Sequence, residues 1–183
     1  MGQSIGFMEL SSIAKGIETV DAMMKMAEVE LLHTQAIPRG KFTILIAGAQ
    51  AQVEQSLQAG AQCASQSLMG QFIIPNVHDQ VLPALRSKIK VEDIEAVGVI
   101  ETKDVTAAIL AADAAVKKAA VTLLEVFSGK GAGGKGFVTF TGEVGAVRSA
   151  VAAGIETIPK SDALVSWVVI PYAHKSLLKV LSQ

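Results

Sequence analysis

The stretch Gly129–Lys135 is the part of the sequence closest to a catalytic motif. It fits G-x-x-x-x-G-K, the start of the loop with which P-loop proteins hold a phosphate. That loop continues with a serine or threonine for magnesium, and the next residue here is Gly136. It must also lead into a helix whose first amides bind phosphate, whereas GFVTFTG alternates like a strand. The sequence therefore predicts no nucleotide hydrolysis, and leaves open weak anion binding by the glycine-rich amides.

The side chains that commonly bind metals or act as nucleophiles are few and scattered. The three histidines, His33, His78 and His174, show no spacing typical of metal ligands. One cysteine, Cys63, excludes an internal disulfide framework. It lies in a helical pattern, where packing in the core is favoured over ligation. The sequence predicts neither an enzyme nor a bound cofactor.

These residues belong to a chain that repeats itself. The segment Ile5–Leu32 returns as Val97–Leu124, 92 positions further along, with a glycine, a glutamate, an aspartate and a lysine at matching places. The match extends to I-P-N-V-H at Ile74–His78 and I-P-Y-A-H at Ile170–His174. A repeat of about 90 residues is large enough to be a domain, so we expect one domain in two copies. The expected boundaries are 1–87 for the first copy, 88–95 for a linker and 96–183 for the second copy.

Composition limits the classes of protein to which the chain can belong. Of the 183 residues, 50% are hydrophobic and 18% charged. Two small domains bury too little surface to hide so many apolar residues, which favours large subunit interfaces. The net charge of −1 argues against nucleic-acid binding, which needs a basic face. No apolar run reaches the roughly 18–20 residues that span a bilayer, and no signal peptide is recognised. We expect a cytoplasmic oligomer that binds neither nucleic acid nor membrane.

Each copy shows the order strand, helix, strand, strand, helix, strand. In the first copy the expected strands are Ile5–Leu10, Glu30–Ala36, Phe42–Ala47 and Phe72–Ile74, and the expected helices are Ser12–Ala27 and Gln50–Met69. In the second copy the expected strands are Val97–Thr102, Thr122–Phe127, Phe137–Thr141 and Trp167–Ile170, and the helices follow Asp104 and cover Val144–Ile155. Ser11, Ser12 and Asp104 are expected to cap the helices that follow them. The pattern predicts the α+β class, with mainly antiparallel strands and helices on one face.

Motifs that occur in both copies resemble those of the bacterial microcompartment shell domain, or BMC domain. They are G-x-x-E in the first strand, D-A-x-x-K in the first helix, G-K or G-G-K before the third strand, and I-P-x-x-H after the last. Two copies in tandem resemble the trimeric shell proteins of the propanediol-utilisation type. The resemblance implies a ferredoxin-like α/β sandwich in each copy, and a homotrimer that forms a flat pseudo-hexameric tile. It also implies that the tile joins hexameric and other shell proteins around an enzyme core inside the bacterial cell.

In this family the turn between the second and third strands lines a central pore for small metabolites. The candidate pore-lining residues are Ile37, Pro38, Arg39 and Gly40 in the first copy, and Ser128, Gly129, Lys130, Gly131, Ala132, Gly133 and Gly134 in the second. Three copies of Arg39 or Lys130 around an axis would form a positive ring that favours small anions or carbonyl metabolites. The alternative is that either side chain turns into solvent or pairs with a carboxylate.

Some members of the family carry a cysteine in the first of these turns, where three copies hold an iron–sulfur cluster. The matching position here is Pro38, which cannot ligate a metal. The resemblance therefore implies a tile without that centre. The alternative function is a trimeric conduit with a metal, an iron–sulfur centre or another ligand at its axis.

The resemblance also implies which residues lie at the edge of the tile. The candidate edge residues are Lys25, Lys117, Asn76, His78, Tyr172 and His174. The two lysines match a family lysine that packs against its twin on an adjacent tile, the alternative being ordinary exposed helix lysines. The family usually has arginine after the proline of the I-P-x-x-H turn, where this chain has asparagine and tyrosine. We therefore expect this tile to meet particular neighbours rather than itself.

Overall fold

The contacts of the chain divide it into two compact units between Val77 and His78. The computed structural model describes residues 2–127, 135–158 and 163–181. Unit 1 ends at Val77 and unit 2 begins at His78. Residues 78–87, which the sequence suggested as the end of the first domain, thus contact mainly unit 2. The linker at 88–95 stays a prediction.

Unit 1 is a β-α-β-β-α-β unit with an antiparallel sheet. Its elements are β1 (Ser4–Leu10), α1 (Ile13–Met26), β2 (Glu30–Ile37), β3 (Lys41–Gly48), α2 (Gln50–Ala64) and β4 (Leu68–Ile74). The strand order is β2-β3-β1-β4, and each neighbouring pair is antiparallel. This is the order of a split β-α-β fold, and it confirms the predicted α+β class.

Unit 2 repeats this arrangement and adds a short helix at its start and at its end. Its elements are α3 (Val81–Arg86), β5 (Ala96–Thr102), α4 (Val105–Lys118), β6 (Thr122–Phe127), β7 (Gly136–Gly142), α5 (Val144–Glu156), β8 (Leu164–Ile170) and α6 (Leu177–Leu181). Over the described residues the strand order is β6-β7-β5-β8, again with antiparallel neighbours. The predicted duplication is therefore present in the fold.

Alternate side chains of the strands build the core of unit 1. Met8 on β1 and Ile44 on β3 are completely buried, and they pack with Met23 of α1 and Val53 of α2. Burying a side chain of this size stabilises the fold by about 1.5–3 kcal/mol. Strand side chains alternate between the two faces of a sheet. Glu9, which follows Met8 in β1, therefore lies on the face opposite the core. The candidates in the first copy are thus held on a two-layer unit with a buried core.

Polar side chains begin the first helix of each unit, as predicted. The Ser12 hydroxyl accepts a hydrogen bond from the backbone N–H of Lys15 at 3.3 Å. The Asp104 carboxylate accepts one from Ala107 at 2.8 Å. These bonds satisfy amides that have no partner within the helix. Among the helices of the described residues, none is long and apolar enough to cross a membrane.

The second helix of unit 1 is shorter than predicted, and the strand after it is longer. Helix α2 ends at Ala64 instead of Met69, because Ser65 takes a left-handed backbone with φ of 50°. Leu68 then pairs with Leu10 at the end of β1. Unpaired amides and carbonyls along β1 would be costly to bury, so the chain becomes strand as soon as it reaches this edge. For the same reason β8 begins at Leu164 and not at Trp167.

Candidate functional site

The turn between β2 and β3 is short and exposed. Pro38, Arg39 and Gly40 form one turn of 3-10 helix, and Ile37 pairs with Lys41 at its base. Arg39 and Gly40 both adopt a left-handed backbone, with φ of 70° and 73°. This conformation costs a residue with a side chain about 1–2 kcal/mol. Arg39 therefore stands at a position where glycine would be less strained.

The charge of Arg39 is exposed to solvent. No ion pair or hydrogen bond of its guanidinium group is found within residues 2–127, 135–158 and 163–181. The Lys41 ammonium at the base of the turn instead donates a 2.6 Å hydrogen bond to Oε1 of Glu9. That bond neutralises Lys41 and leaves the positive charge of the turn to Arg39.

The corresponding turn of unit 2, with the candidates Ser128 to Gly134, lies outside the described residues. On its two sides Phe127 pairs with Phe137, so β6 and β7 form a hairpin as β2 and β3 do. After Lys135 the chain enters strand β7 and not a helix. A P-loop needs the amides of a helix N-terminus at this place. The fold thus agrees with the prediction that this glycine-rich stretch is not a P-loop.

An ion pair beneath the turn occurs in both units. Lys41 Nζ lies 2.6 Å from Oε1 of Glu9 in unit 1, and Lys135 Nζ lies 3.2 Å from Oε1 of Glu101 in unit 2. In each case the glutamate is on the first strand of the unit, and the lysine is the first residue of the neighbouring strand (Lys41) or directly precedes it (Lys135). These pairs were not predicted. Their signal was that both residue types recur in the repeat, but only the strand register shows that they meet.

Cys63 lies on α2, an element separate from the turn. It is free and half-buried, and is not part of the completely buried core. In the part of the chain that the structure describes, no three histidine, cysteine, aspartate or glutamate side chains are grouped so as to hold a metal ion. The turn at Pro38–Gly40 contains proline, arginine and glycine, none of which is a usual metal ligand.

Each candidate edge lysine forms an ion pair with an aspartate one helical turn earlier. Lys25 Nζ lies 2.6 Å from Asp21 in α1, and Lys117 Nζ lies 2.6 Å from Asp113 in α4. Residues four apart are neighbours on a helix surface. The Asp21 side chain is 62% exposed and that of Asp113 only 11%. The two copies therefore share the pair but differ in what covers it, and the role of the lysines at a tile edge stays a prediction.

The two I-P-x-x-H turns share one local geometry. Nδ1 of His78 accepts a hydrogen bond from the backbone N–H of Gln80, and Nδ1 of His174 accepts one from Ser176. Each histidine therefore orders the turn that follows it. The backbone N–H of His78 also donates a 2.8 Å hydrogen bond to Oδ1 of Asp113, which joins His78 to α4 within unit 2.

The residues after the two prolines differ in backbone and exposure. Asn76 has a left-handed backbone with φ of 49°, which asparagine tolerates better than most residues. Tyr172 is 87% exposed. Tyrosine is enriched in protein interfaces, so this ring suits a contact with another protein. The edge role of both residues stays a prediction.

Comparison with known proteins identifies relatives of both copies. A sequence model of the BMC domain matches residues 4–77 and 96–173. The bacterial microcompartment shell protein PduT of Citrobacter freundii is 41% identical over 177 residues, covering 97% of this chain and 96% of that protein. The carboxysome shell protein CsoS1A of Hydrogenovibrio crunogenus is 42% identical over 92 residues, covering 49% of this chain and 96% of that protein.

Solved structures give the same result for the fold. A microcompartment protein from Desulfitobacterium hafniense DCB is 45% identical, superposes with a TM-score of 0.91, and covers 98% of this chain and 99% of its own. A fused permuted hexameric shell protein of the RMM microcompartment superposes with a TM-score of 0.60 at 20% identity, covering 85% of this chain and 83% of its own, and supports the fold alone. The two domain matches coincide with the two antiparallel sheets. The chain belongs to the BMC-domain family and carries two domains of that family in tandem.

Proposed function

We propose that this protein is a structural subunit of a bacterial microcompartment shell. The observation that carries the proposal is the tandem of BMC domains, which match residues 4–77 and 96–173. A relative with 41% identity across 97% of the chain is itself a microcompartment shell protein. The proposed role is architectural and involves no catalysis. Its place is the shell inside the bacterial cell.

The proposed assembly unit is a homotrimer. Three chains with two similar domains each give six similar domains around one axis, and cyclic closure makes a pseudo-hexagonal tile. Large apolar side chains that are exposed in the single chain, such as Ile17, Leu31 and Trp167, support association. Covering them removes apolar surface from water, at about 25 cal/mol for each Å².

The proposed pore lies on the axis of the trimer, within a ring of β2–β3 turns. Ile37, Pro38, Arg39 and Gly40 of each chain would lie around it, and the part of the candidates at 128–134 stays a prediction. The exposed and unneutralised charge of Arg39 supports a positive ring, which attracts small anions and polarised carbonyl compounds. Its left-handed backbone supports the same role, since a strained residue in an exposed turn suggests a function for the side chain.

The competing proposal is a trimeric conduit with a metal or iron–sulfur centre at the axis. Three-fold ligation there needs a thiolate, imidazole or carboxylate in the turn. Pro38, Arg39 and Gly40 supply none of these groups. No observation on the described residues favours this second function.

The proposed edge of the tile contacts hexameric and other shell proteins. Lys25 and Lys117 occupy matched positions near the ends of α1 and α4, and Tyr172 presents an exposed ring after β8. Because Asn76 and Tyr172 are unlike each other, the edges formed by the two domains differ. Unequal edges would let one tile select different neighbours.

The proposed function is tested first by the native mass of the purified protein together with its visible absorption spectrum. Native mass spectrometry is expected to give a colourless species of three times the 19.1 kDa chain mass. A monomer would overturn the ring and its pore. A coloured trimer would instead favour the conduit with a bound centre.

A further inference from the structure

The internal repeat extends beyond the last strand of each copy into a short segment, and the surroundings of this segment differ between the two copies. In the first copy this segment is residues 78–86, which end in α3, and in the second it is residues 174–181, which end in α6. The carbonyl of His78 accepts a hydrogen bond from Val81, and the carbonyl of His174 accepts one from Leu177, at 2.9 and 2.8 Å. The side chains of His78 and His174 also accept matching hydrogen bonds. The two segments therefore share one local structure.

The first of these segments is docked within unit 2. The Gln80 side chain donates to the carbonyl of Val121 at 3.1 Å and accepts from the backbone N–H of Leu123 at 2.8 Å. It therefore extends the hydrogen bonding of β6. The His78 N–H donates to Asp113 on α4, as described above. The side chains of α3 that face inward, Val81, Leu82 and Ala84, are buried.

The second segment has different surroundings. Val180 and Leu181 line a cavity of unit 2 together with Val99 and Phe137. Val180 occupies the position that corresponds to Ala84, and its side chain is 66% exposed whereas that of Ala84 is buried. The backbone N–H of His174 has no carboxylate partner of the kind that Asp113 gives to His78, within the described ranges. Val180 thus presents an apolar side chain that its own unit covers only in part.

Matched apolar positions on the first helix and the second strand are buried in unit 2 and exposed in unit 1. Ile109 on α4 is completely buried, while the matching Ile17 on α1 is 60% exposed. The same contrast holds at two more matched positions. Val116 and Leu123 are buried in unit 2, and their counterparts Met24 and Leu31 are exposed in unit 1.

We infer that the segment 174–181 of one chain docks on α1 and β2 of a second copy of this chain. In this contact the backbone N–H of His174 donates to Asp21 of the neighbouring chain, as that of His78 does to Asp113 within one chain. Val180 covers the open surface of Ile17, Met24 and Leu31. The inference rests on the proposed homotrimer, and it names the surfaces that hold the trimer together.

The contact is heterologous, because a segment at one end of the chain meets a different surface near the other end. Repeated around a three-fold axis, it closes a ring and leaves no segment undocked. The same geometry explains why Asp21 is exposed in a single chain, whereas Asp113 is buried. In the proposed contact, Asp21 accepts the hydrogen bond from His174 of the neighbouring chain.

A disulfide tests this contact between chains. The variant Asp21→Cys/His174→Cys is made with Cys63→Ser, so that no other thiol is present. Its matched control within the chain is His78→Cys/Asp113→Cys, because a 2.8 Å hydrogen bond from the His78 backbone N–H to Asp113 already brings these two residues together. After oxidation, the first variant is expected to run as covalent dimers and trimers on a non-reducing gel. The control is expected to remain a single chain.

A second pair of variants tests the apolar surface without relying on cysteine chemistry. Ile17→Asp is expected to convert the native trimer to a monomer, and because Ile17 is exposed the chain still folds. Met26→Lys is the control, since Met26 is also exposed but its counterpart in unit 2 is Lys118, outside the covered surface. That variant is expected to remain a trimer.

The outcomes separate this inference from the proposed function. A wild-type trimer that neither cross-links through positions 21 and 174 nor dissociates with Ile17→Asp would overturn the docking inference and leave the trimer standing. A wild-type monomer would overturn the proposed assembly itself. Cross-linked trimers together with dissociation of the Ile17→Asp variant would establish the contact.

Discussion

The Asp113 carboxylate accepts a 2.8 Å hydrogen bond from the backbone N–H of His78, and so ties the segment after unit 1 to helix α4. Its other oxygen lies 2.6 Å from Nζ of Lys117. A hydrogen bond to a charged group that is mostly buried contributes about 1.5–3 kcal/mol. We therefore expect Asp113→Ala to lower the free energy of unfolding by about 2–3 kcal/mol, measured by chemical denaturation at a fixed protein concentration.

Lys117→Ala is the matched control for this prediction. It removes the ion pair and leaves the bond between Asp113 and His78 in place. Because Lys117 is substantially exposed, its loss is expected to cost no more than about 1 kcal/mol. Equal losses in the two variants would show that the ion pair, and not the docked segment, stabilises this part of the fold.

Much of the fold follows from local patterns in the sequence. The spacing of apolar residues and the capping residues Ser12 and Asp104 predicted both ends of α1 within a residue and the start of α4, because these signals act over a single turn. The end of α2 could not be predicted in this way. Leu68 and Met69 continue the apolar spacing of the helix and so predict a longer helix. In the structure Leu68 instead pairs with Leu10 of β1, and this tertiary contact overrides the local preference for helix.

The candidate site shows the same division between local and distant signals. The position of Arg39 in the β2–β3 turn was predictable, because proline and glycine around it mark a turn. The bond between Glu9 and Lys41 was not, because these residues are far apart in sequence and meet only through the register of β1 and β3. The dock of His78 on Asp113 required the contacts of the folded chain for the same reason.

At one contact between helix and sheet, unit 1 has glycine on the helix and phenylalanine on the strand, whereas unit 2 has alanine on the helix and glycine on the strand. A Cβ atom on Gly16 would lie 2.3 Å from Cδ1 of Phe42, whereas the matching positions in unit 2 are Ala108 and Gly136. Forcing extra atoms into a packed core costs about 1–3 kcal/mol. Gly16→Ala is therefore expected to lower the free energy of unfolding by that amount.

Gly70→Ala is the control for this packing prediction. Gly70 lies in β4, and a Cβ atom there would have no neighbour within 4 Å. Glycine weakens a strand through its larger backbone entropy, so alanine is expected to leave the stability unchanged or raise it by up to about 1 kcal/mol. If both alanine variants lost stability alike, the clash with Phe42 would not be the cause.

Glu143 caps helix α5 with a charge whose effect depends on pH. Its Oε2 accepts hydrogen bonds from the backbone N–H groups of Gly145 and Ala146 at 2.9 and 3.1 Å. These bonds favour the carboxylate and lower the pKa of Glu143 below its usual 4.5. The resulting stabilisation is complete above pH 4.5 and is lost as the pH falls through the lower folded-state pKa.

Glu143→Gln is therefore expected to have a lower Tm than the wild type at pH 7, with a difference that shrinks as the pH falls below 4.5. Glu156→Gln is the control at the opposite end of the same helix, where a negative charge opposes the helix dipole. That variant is expected not to lose stability at pH 7. A Glu143→Gln deficit that is constant from pH 7 to pH 3 would show that the cap does not act through its charge.

Arg39 offers a direct test of the positive pore. Under the proposed trimer, Arg39→Glu replaces three positive charges around the axis with three negative ones, so the preference of the pore is expected to change from anions to cations. The measurement is the reversal potential of single trimers in a planar bilayer under a potassium chloride gradient.

Arg39→Gly is the control, since glycine adopts the φ of 70° without strain. It is expected to fold as stably as the wild type and to weaken the anion preference without reversing it. Identical reversal potentials in all three proteins would show that Arg39 does not line the conducting path.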